Sequence, residues 1–181
     1  MMNIRLRSLV LFGLLVTGIV ACKKGKDGPP EEEQKPVAGS SPYISKILEF
    51  KQAPGQYTND LIKTDILIGS AGNGLVSLGG YGGYIIFGFD HSVENANGVD
   101  LGIYGNPLIG QGFEFSEPGI VSVMKDENKN GLADDTWYEL AGSEYSAATT
   151  VKNYTITYYR PANAKDDVRW TDNQGREGLI L

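Results

Sequence analysis

Tyr84-Ile85-Ile86-Phe87-Gly88-Phe89 is the stretch that decides the fold. Almost every residue in it is apolar, as in a central strand covered on both faces. Tyr154–Tyr159 carries the complementary signature. Tyr154, Ile156 and Tyr158 fall on one face, and Thr155, Thr157 and Tyr159 on the other, the pattern of a half-buried strand.

Similar short β-branched and aromatic runs recur at Asp65–Ile68, Leu75–Leu78, Val99–Tyr104, Ile120–Met124, Thr136–Leu140 and Val168–Trp170. Tyr43–Lys51 fits a helix through Ile44, Ile47 and Leu48, and a strand through Ile44, Leu48 and Phe50. Its short length before Pro54 favours the strand. Glycine makes up 24 of 181 residues, about twice the usual share. No stretch after Pro54 offers a helix-length window free of Gly and Pro with 3.6-residue periodicity. Eight or more short strands separated by turn signals predict an all-β sandwich or barrel.

The first 22 residues carry a different message. Arg5 and Arg7 form a short basic start, Leu9 to Val20 an apolar run, and small Ala21 stands directly before Cys22, the only cysteine. This order reads as a secretory signal. An uncleaved anchor needs about 20 apolar residues, more than are here. A soluble exported protein would be left with an unpaired thiol. The arrangement resembles the bacterial lipobox, which implies lipidation at Cys22, removal of residues 1–21 and attachment to the outer membrane.

Residues 22–42 then read as a solvated tether, with Lys23, Lys24, Lys26, Pro29-Pro30, Glu31-Glu32-Glu33 and Pro36. Residues 43–181 form the folded domain, large enough to bury about two thirds of its unfolded surface without disulfides. The formal charge of −6 falls by two, to −8, when Arg5 and Arg7 leave. An acidic domain with few basic clusters argues against a nucleic-acid partner. Gly178-Leu179-Ile180-Leu181 reads as the start of an apolar strand with no polar cap after it, so the domain is expected to continue.

The sharpest motif runs from Asp126 to Asp135. Asp126, Asn128 and Asn130 place side-chain oxygens at positions 1, 3 and 5, and Gly131 follows at position 6, letting a tight loop wrap a hard cation. The Leu132 carbonyl and Asp134 or Asp135 would complete the ligand set, with Glu139 as a further ligand. Calcium suits such loose oxygen geometry, in a structural role. Trp137 stands where an EF-hand carries its bidentate Glu, and strand candidates flank the loop. It more resembles the calcium loops of dockerins and thrombospondin type 3 repeats. Asn130-Gly131 also fits a metal-free hairpin turn.

The glycines from Gly69 to Gly83 lack a following Gly-Lys-Ser/Thr and read as turns and close strand packing, not a phosphate cradle. His91, the only histidine, has no nucleophile elbow to serve and reads as a turn cap at a strand end. Aromatic side chains on loops can stack on flat ligands. Tyr81, Phe113, Trp137 and Tyr145, with Asn106 and Glu114 for directional hydrogen bonds, form the candidate ligand-binding set. The competing enzyme reading is a hydrolase using paired carboxylates from Asp90, Glu114 and Glu117. A structural or adhesion module is a third class.

Leu78–Asp90, Asn97–Asn106, Ser116–Val123 and Thr136–Leu140, taken in order, resemble cell-surface lipoproteins of Bacteroidetes-type bacteria. More distantly they are similar to exported β-sandwich domains with a glycine-bounded strand and a Glu-Pro-x-x-Val strand. The resemblance covers about Tyr43 to Trp170 and implies a β-sandwich of jelly-roll or galactose-binding-like type. It implies no catalytic residues. Relatives of this kind accompany outer-membrane nutrient uptake, including corrinoid uptake, which implies a small-molecule or glycan ligand, or an uptake protein as partner. Gly105 replaces an acidic residue often found before Asn106 in these relatives, a departure that weakens the case for a ligand role at that position.

Overall fold

The computed structural model describes residues 2–7, 38–55 and 58–181. It is all-β. Among the described residues ten strands form three antiparallel sheets: β1 (Met2–Arg7), β2 (Lys46–Lys51), β3 (Tyr84–Gly88), β4 (Leu108–Gly110), β5 (Phe113–Phe115), β6 (Ile120–Lys125), β7 (Trp137–Glu139), β8 (Ile156–Tyr159), β9 (Val168–Asp172) and β10 (Glu177–Ile180). The largest sheet has the order β2-β3-β1-β6-β7, the second β10-β9-β8, and β4-β5 stand as a separate hairpin.

Strand β3 sits inside the main sheet, as its composition demands. Ile85 and Phe87 stand opposite Phe50 and Ile47 of β2, and with Phe89 they form the buried cluster against which Ile44, Leu78, Leu101, Val121 and Val123 pack. Burying each of these large side chains is worth about 1.5–3 kcal/mol. Phe87 and Phe89 meet edge to face, ring centres 6.1 Å apart. On the opposite face Ile86 and Met124 are also buried. Strand β2 confirms the strand reading of Tyr43–Lys51, with a register shift between Ile47 and Glu49.

The glycine-rich segment before β3 is close packing, as expected. Ala53 N–H donates to the Leu78 carbonyl at 3.0 Å and Gly80 N–H to the Pro54 carbonyl at 2.8 Å. A Cβ on Gly83 would lie 1.7 Å from the Leu78 oxygen, so no side chain fits there.

Three expected strands are not strands. Asp65–Ile68 falls on a 3₁₀ turn, Thr64–Leu67, closed by Ile68 N–H on the Asp65 carbonyl at 3.0 Å. Leu75–Leu78 spends its backbone on loop partners, Ser77 N–H donating to the Leu61 carbonyl. Val99–Tyr104 joins no sheet, with Val99 and Tyr104 strongly exposed. Composition alone does not make a strand, which also needs a neighbouring edge to pair with. The hairpin of β4 and β5 was not anticipated.

The leader core (Leu9–Val20), Cys22 and the tether as far as Val37 lie outside the described residues. The tether's last residues are held to the domain: Ser41 N–H donates to Asp90 Oδ2 at 3.1 Å. Strand β1 is made of residues that the sequence reads as the basic start of the leader. Among the described residues no helix is long and apolar enough to cross a membrane.

Candidate functional site

Three places gather the residues that carry chemistry. The first is the 126–135 loop, which joins β6 to β7. Asp126 is buried, with 3% of its surface exposed. Its Oδ1 accepts the Asn130 N–H at 3.1 Å and its Oδ2 the Gly131 N–H at 2.9 Å. Asn128 Oδ1 accepts the same Asn130 N–H at 2.9 Å, so the oxygens of Asp126 and Asn128 converge on one point.

The Asn130 side chain closes the ring. Its Oδ1 accepts the Leu132 N–H at 2.8 Å, and its Nδ2 donates to both Asp134 oxygens at 3.2 and 3.0 Å. Asp135 reaches back to the Glu127 N–H at 3.0 Å. Positive φ angles at Lys129 and Gly131 make the reversal. Lys46 Nζ reaches the Gly131 carbonyl at 3.4 Å, tying the loop to β2.

Asp126, Asn128, Asn130 and Asp134 are therefore brought together, and each oxygen that accepts an N–H keeps a second lone pair. That donor set suits a hard cation. Among the described residues no group of three or more His, Cys, Asp or Glu side chains forms a metal cage. Two of the converging side chains are amides, which keeps the carboxylate count low.

The second place is the hairpin of β4 and β5. Leu108 pairs with Phe115, Ile109 with Glu114, and Gly110 with Phe113. Gln111-Gly112 makes the turn, with Gly112 at φ +83°. The Phe113 ring lies across Gly110, where a Cβ would come within 2.2 Å of it. Leu108, Ile109, Phe113 and Phe115 are 60, 73, 55 and 57% exposed. Four large apolar side chains on six paired residues is an unusual thing to leave in water. Asn106 and Glu114 are exposed beside them.

The third place is a tyrosine clasp. Tyr81 OH donates to the Tyr154 carbonyl at 3.0 Å, and Tyr158 OH donates to the Tyr81 carbonyl at 2.9 Å. The Tyr81 and Tyr154 rings meet edge to face at 4.7 Å. Burial first, then the neighbouring Tyr154 and Glu139, pushes the Tyr81 phenol well above its ordinary range. Tyr154 OH donates to Asp172 Oδ2 at 3.0 Å. Burial would raise the Asp172 carboxyl, but N–H groups of Arg176 and Gln174, the Arg176 guanidinium and Tyr154 outweigh it and hold the pKa down at about 2. The carboxylate is covered by these neighbours yet lies shallow, beside exposed Arg176.

The predicted ligand-binding residues thus divide. Phe113, Glu114 and Asn106 lie in or beside the exposed hairpin, whereas Tyr81 is packed into the clasp. Trp137 is half-buried in β7 opposite Met124, and Tyr145 is exposed with Lys152 Nζ 3.3 Å over its ring. Of the three carboxylates in the hydrolase reading, Asp90 is engaged by His91 Nδ1 at 2.6 Å and by Ser41. The His91 hydrogen bond, then the Ser41 N–H, draws the Asp90 carboxyl below its usual range. Glu114 and Glu117 stand exposed on and after the hairpin.

The sequence marks Asn106–Phe115 as a binding loop, whereas the pairing of Leu108–Gly110 with Phe113–Phe115 leaves only Gly112 as its signal. Asp172 left no signal beyond an Asp-Asn-Gln-Gly turn. Comparison with known proteins finds no matching family model and no matching curated sequence.

Proposed function

We propose that this chain is a lipid-anchored binding module of the outer membrane, with a β-sandwich body and no catalytic role. The observation that carries the reading is the apolar hairpin of β4 and β5. Soluble domains seldom expose contiguous apolar surface unless something covers it. Leu108, Phe113 and Phe115 share one face of the hairpin, a poor surface for a sugar ring and the mixture found in the buried centre of protein interfaces. The occupant is therefore a protein, and an outer-membrane uptake protein fits the anchoring at Cys22. Glycan or corrinoid cargo would be carried by that partner.

Calcium belongs to the same proposal as a structural ion. Asp126, Asn128 and Asn130 would hold it, with Asp134, Asp135 and the Leu132 carbonyl completing the shell. Bound there, it would supply charge neutralisation and fix the β6–β7 connection that carries Trp137.

The test is recovery of the protein from detergent-solubilised outer membranes in its native and Ile109→Asp/Phe113→Ser forms. A discrete partner retained by the native form and lost by the variant supports the reading, provided both forms have the same circular dichroism spectrum. Equal recovery from both would refute it.

A further inference from the structure

The main sheet is held together at its centre by residues that the export reading removes. Strand β1 pairs with β3 on one side, Leu6 beside Ile85, Arg5 beside Ile86 and Ile4 beside Phe87. On its other side it pairs with β6, Leu6 beside Val121, Arg5 beside Ser122 and Ile4 beside Val123. It runs antiparallel to both, so β3 and β6 are parallel to one another and two strand spacings apart, about 9.5 Å. Strand β3 has its other neighbour in β2, and β6 in β7.

Cleavage before Cys22 takes β1 away. What is left is two separate pairs, β2-β3 and β6-β7, each of them only marginal as a free two-stranded ribbon. The facing N–H and C=O groups of Ile85–Phe87 and Val121–Met124 would be stranded beside side chains that are among the most buried in the molecule. Ile85, Ile86, Phe87, Ser122 and Met124 are all buried, and buried backbone groups without partners are costly.

We infer that the gap between β3 and β6 is a strand-acceptor slot, closed by the leader before processing and by an extended segment of a partner polypeptide afterwards. The inference rests on the export reading, since it needs residues 1–21 to be removed. It differs from the hairpin contact in kind: here recognition is by main-chain hydrogen bonds on both edges of the incoming strand. The observed register specifies the guest. It runs antiparallel to both walls, spans about six residues, and carries apolar residues at the two positions flanked by Phe87/Val123 and Ile85/Val121, which face the core cluster. The position between them lies beside Ile86 and Ser122 on the other face. An apolar-x-apolar strand such as Ile4-Arg5-Leu6 meets these demands, and one with acidic residues at the two apolar positions, or with a proline, does not.

The probe is a synthetic peptide of residues 2–7, Met-Asn-Ile-Arg-Leu-Arg, added to the processed protein whose N-terminus at Cys22 has been verified by mass. A second peptide with Ile4→Asp and Leu6→Asp is the control. Amide hydrogen exchange of Ile85–Phe87 and Val121–Met124 is followed by mass spectrometry. The slot predicts rapid exchange in the processed protein alone, slowed at least about tenfold by the first peptide and unaffected by the control. A processed protein that is unfolded alone and folds on adding the first peptide gives the same answer. Amides already protected without peptide, or exchange that neither peptide changes, would overturn the slot while leaving the export reading intact. Recovery of the cellular protein with Met2–Arg7 still attached would overturn both.

Discussion

Tyr158 donates its phenolic hydrogen to the backbone carbonyl of Tyr81 at 2.9 Å, fastening β8 to the glycine-rich segment that leads into β3. Tyr81 answers with its own hydroxyl on the Tyr154 carbonyl at 3.0 Å. Two sheets with no strand in common are joined by this exchange. Tyr81→Phe keeps the ring and removes one donor, leaving a half-buried carbonyl without it. The expected cost is about 1 kcal/mol of stability, a fall of about 2–4 °C in melting temperature, with partner recovery unchanged. Lost recovery at full stability would return Tyr81 to the binding surface.

Asp172 organises the turn between β9 and β10, its Oδ1 accepting the N–H groups of Gln174 and Arg176 at 2.9 and 2.8 Å. Its folded pKa of about 2 lies below the unfolded value. A depressed carboxyl contributes stability that is present above the unfolded pKa and disappears as pH falls through the folded one. The gap in melting temperature between the native protein and Asp172→Asn should therefore be widest above pH about 5 and close as pH approaches about 2. A gap independent of pH would contradict the assignment.

Asp126 is the pivot of the β6–β7 connection. Asp126→Ala leaves the Gly131 N–H without its acceptor and is expected to cost about 1–3 kcal/mol even without metal. Calcium at 100 times its dissociation constant should add about 2.7 kcal/mol to the native protein by mass action, and Asp126→Ala should abolish that increment. Thermal melts with calcium and with EDTA distinguish the cases. Superimposable curves for the native protein would leave the loop as a plain hairpin.

Cys22→Ala should release the protein from the outer membrane or mislocalise it. Globomycin should block processing of the native chain. Unmodified Cys22 in a soluble mature protein would overturn the anchoring.

What could be read from the sequence was decided by how locally each signal is written. Tyr84–Gly88 and Ile156–Tyr159 declare themselves because burial on two faces or one leaves a composition or an alternation in a single run. Val99–Tyr104 has the same lettering and no partner edge, a fact that lies elsewhere in the chain. Leu108–Gly110 and Phe113–Phe115 are three residues each, too short to establish a period of two, although Gly112 marks the turn between them. The spacing of Asp126, Asn128 and Asn130 correctly placed a tight loop between two strands, since Asx side chains and Gly131 act on backbone a few residues away. The Tyr81 clasp depends on Tyr154 and Tyr158, more than 70 residues on, and no local pattern announces it. Met2–Arg7 was legible only as the beginning of a leader, because its place between β3 and β6 is a matter of pairing alone.

The central claim is that the hairpin of β4 and β5 is the surface on which a partner sits. A photo-reactive side chain placed at Phe113 in the living cell tests it most directly, with the same group at exposed Asp166 as the comparison. The prediction is a single discrete adduct with an outer-membrane protein from position 113 and none from position 166. No adduct from position 113, or the same adducts from both positions, would contradict it.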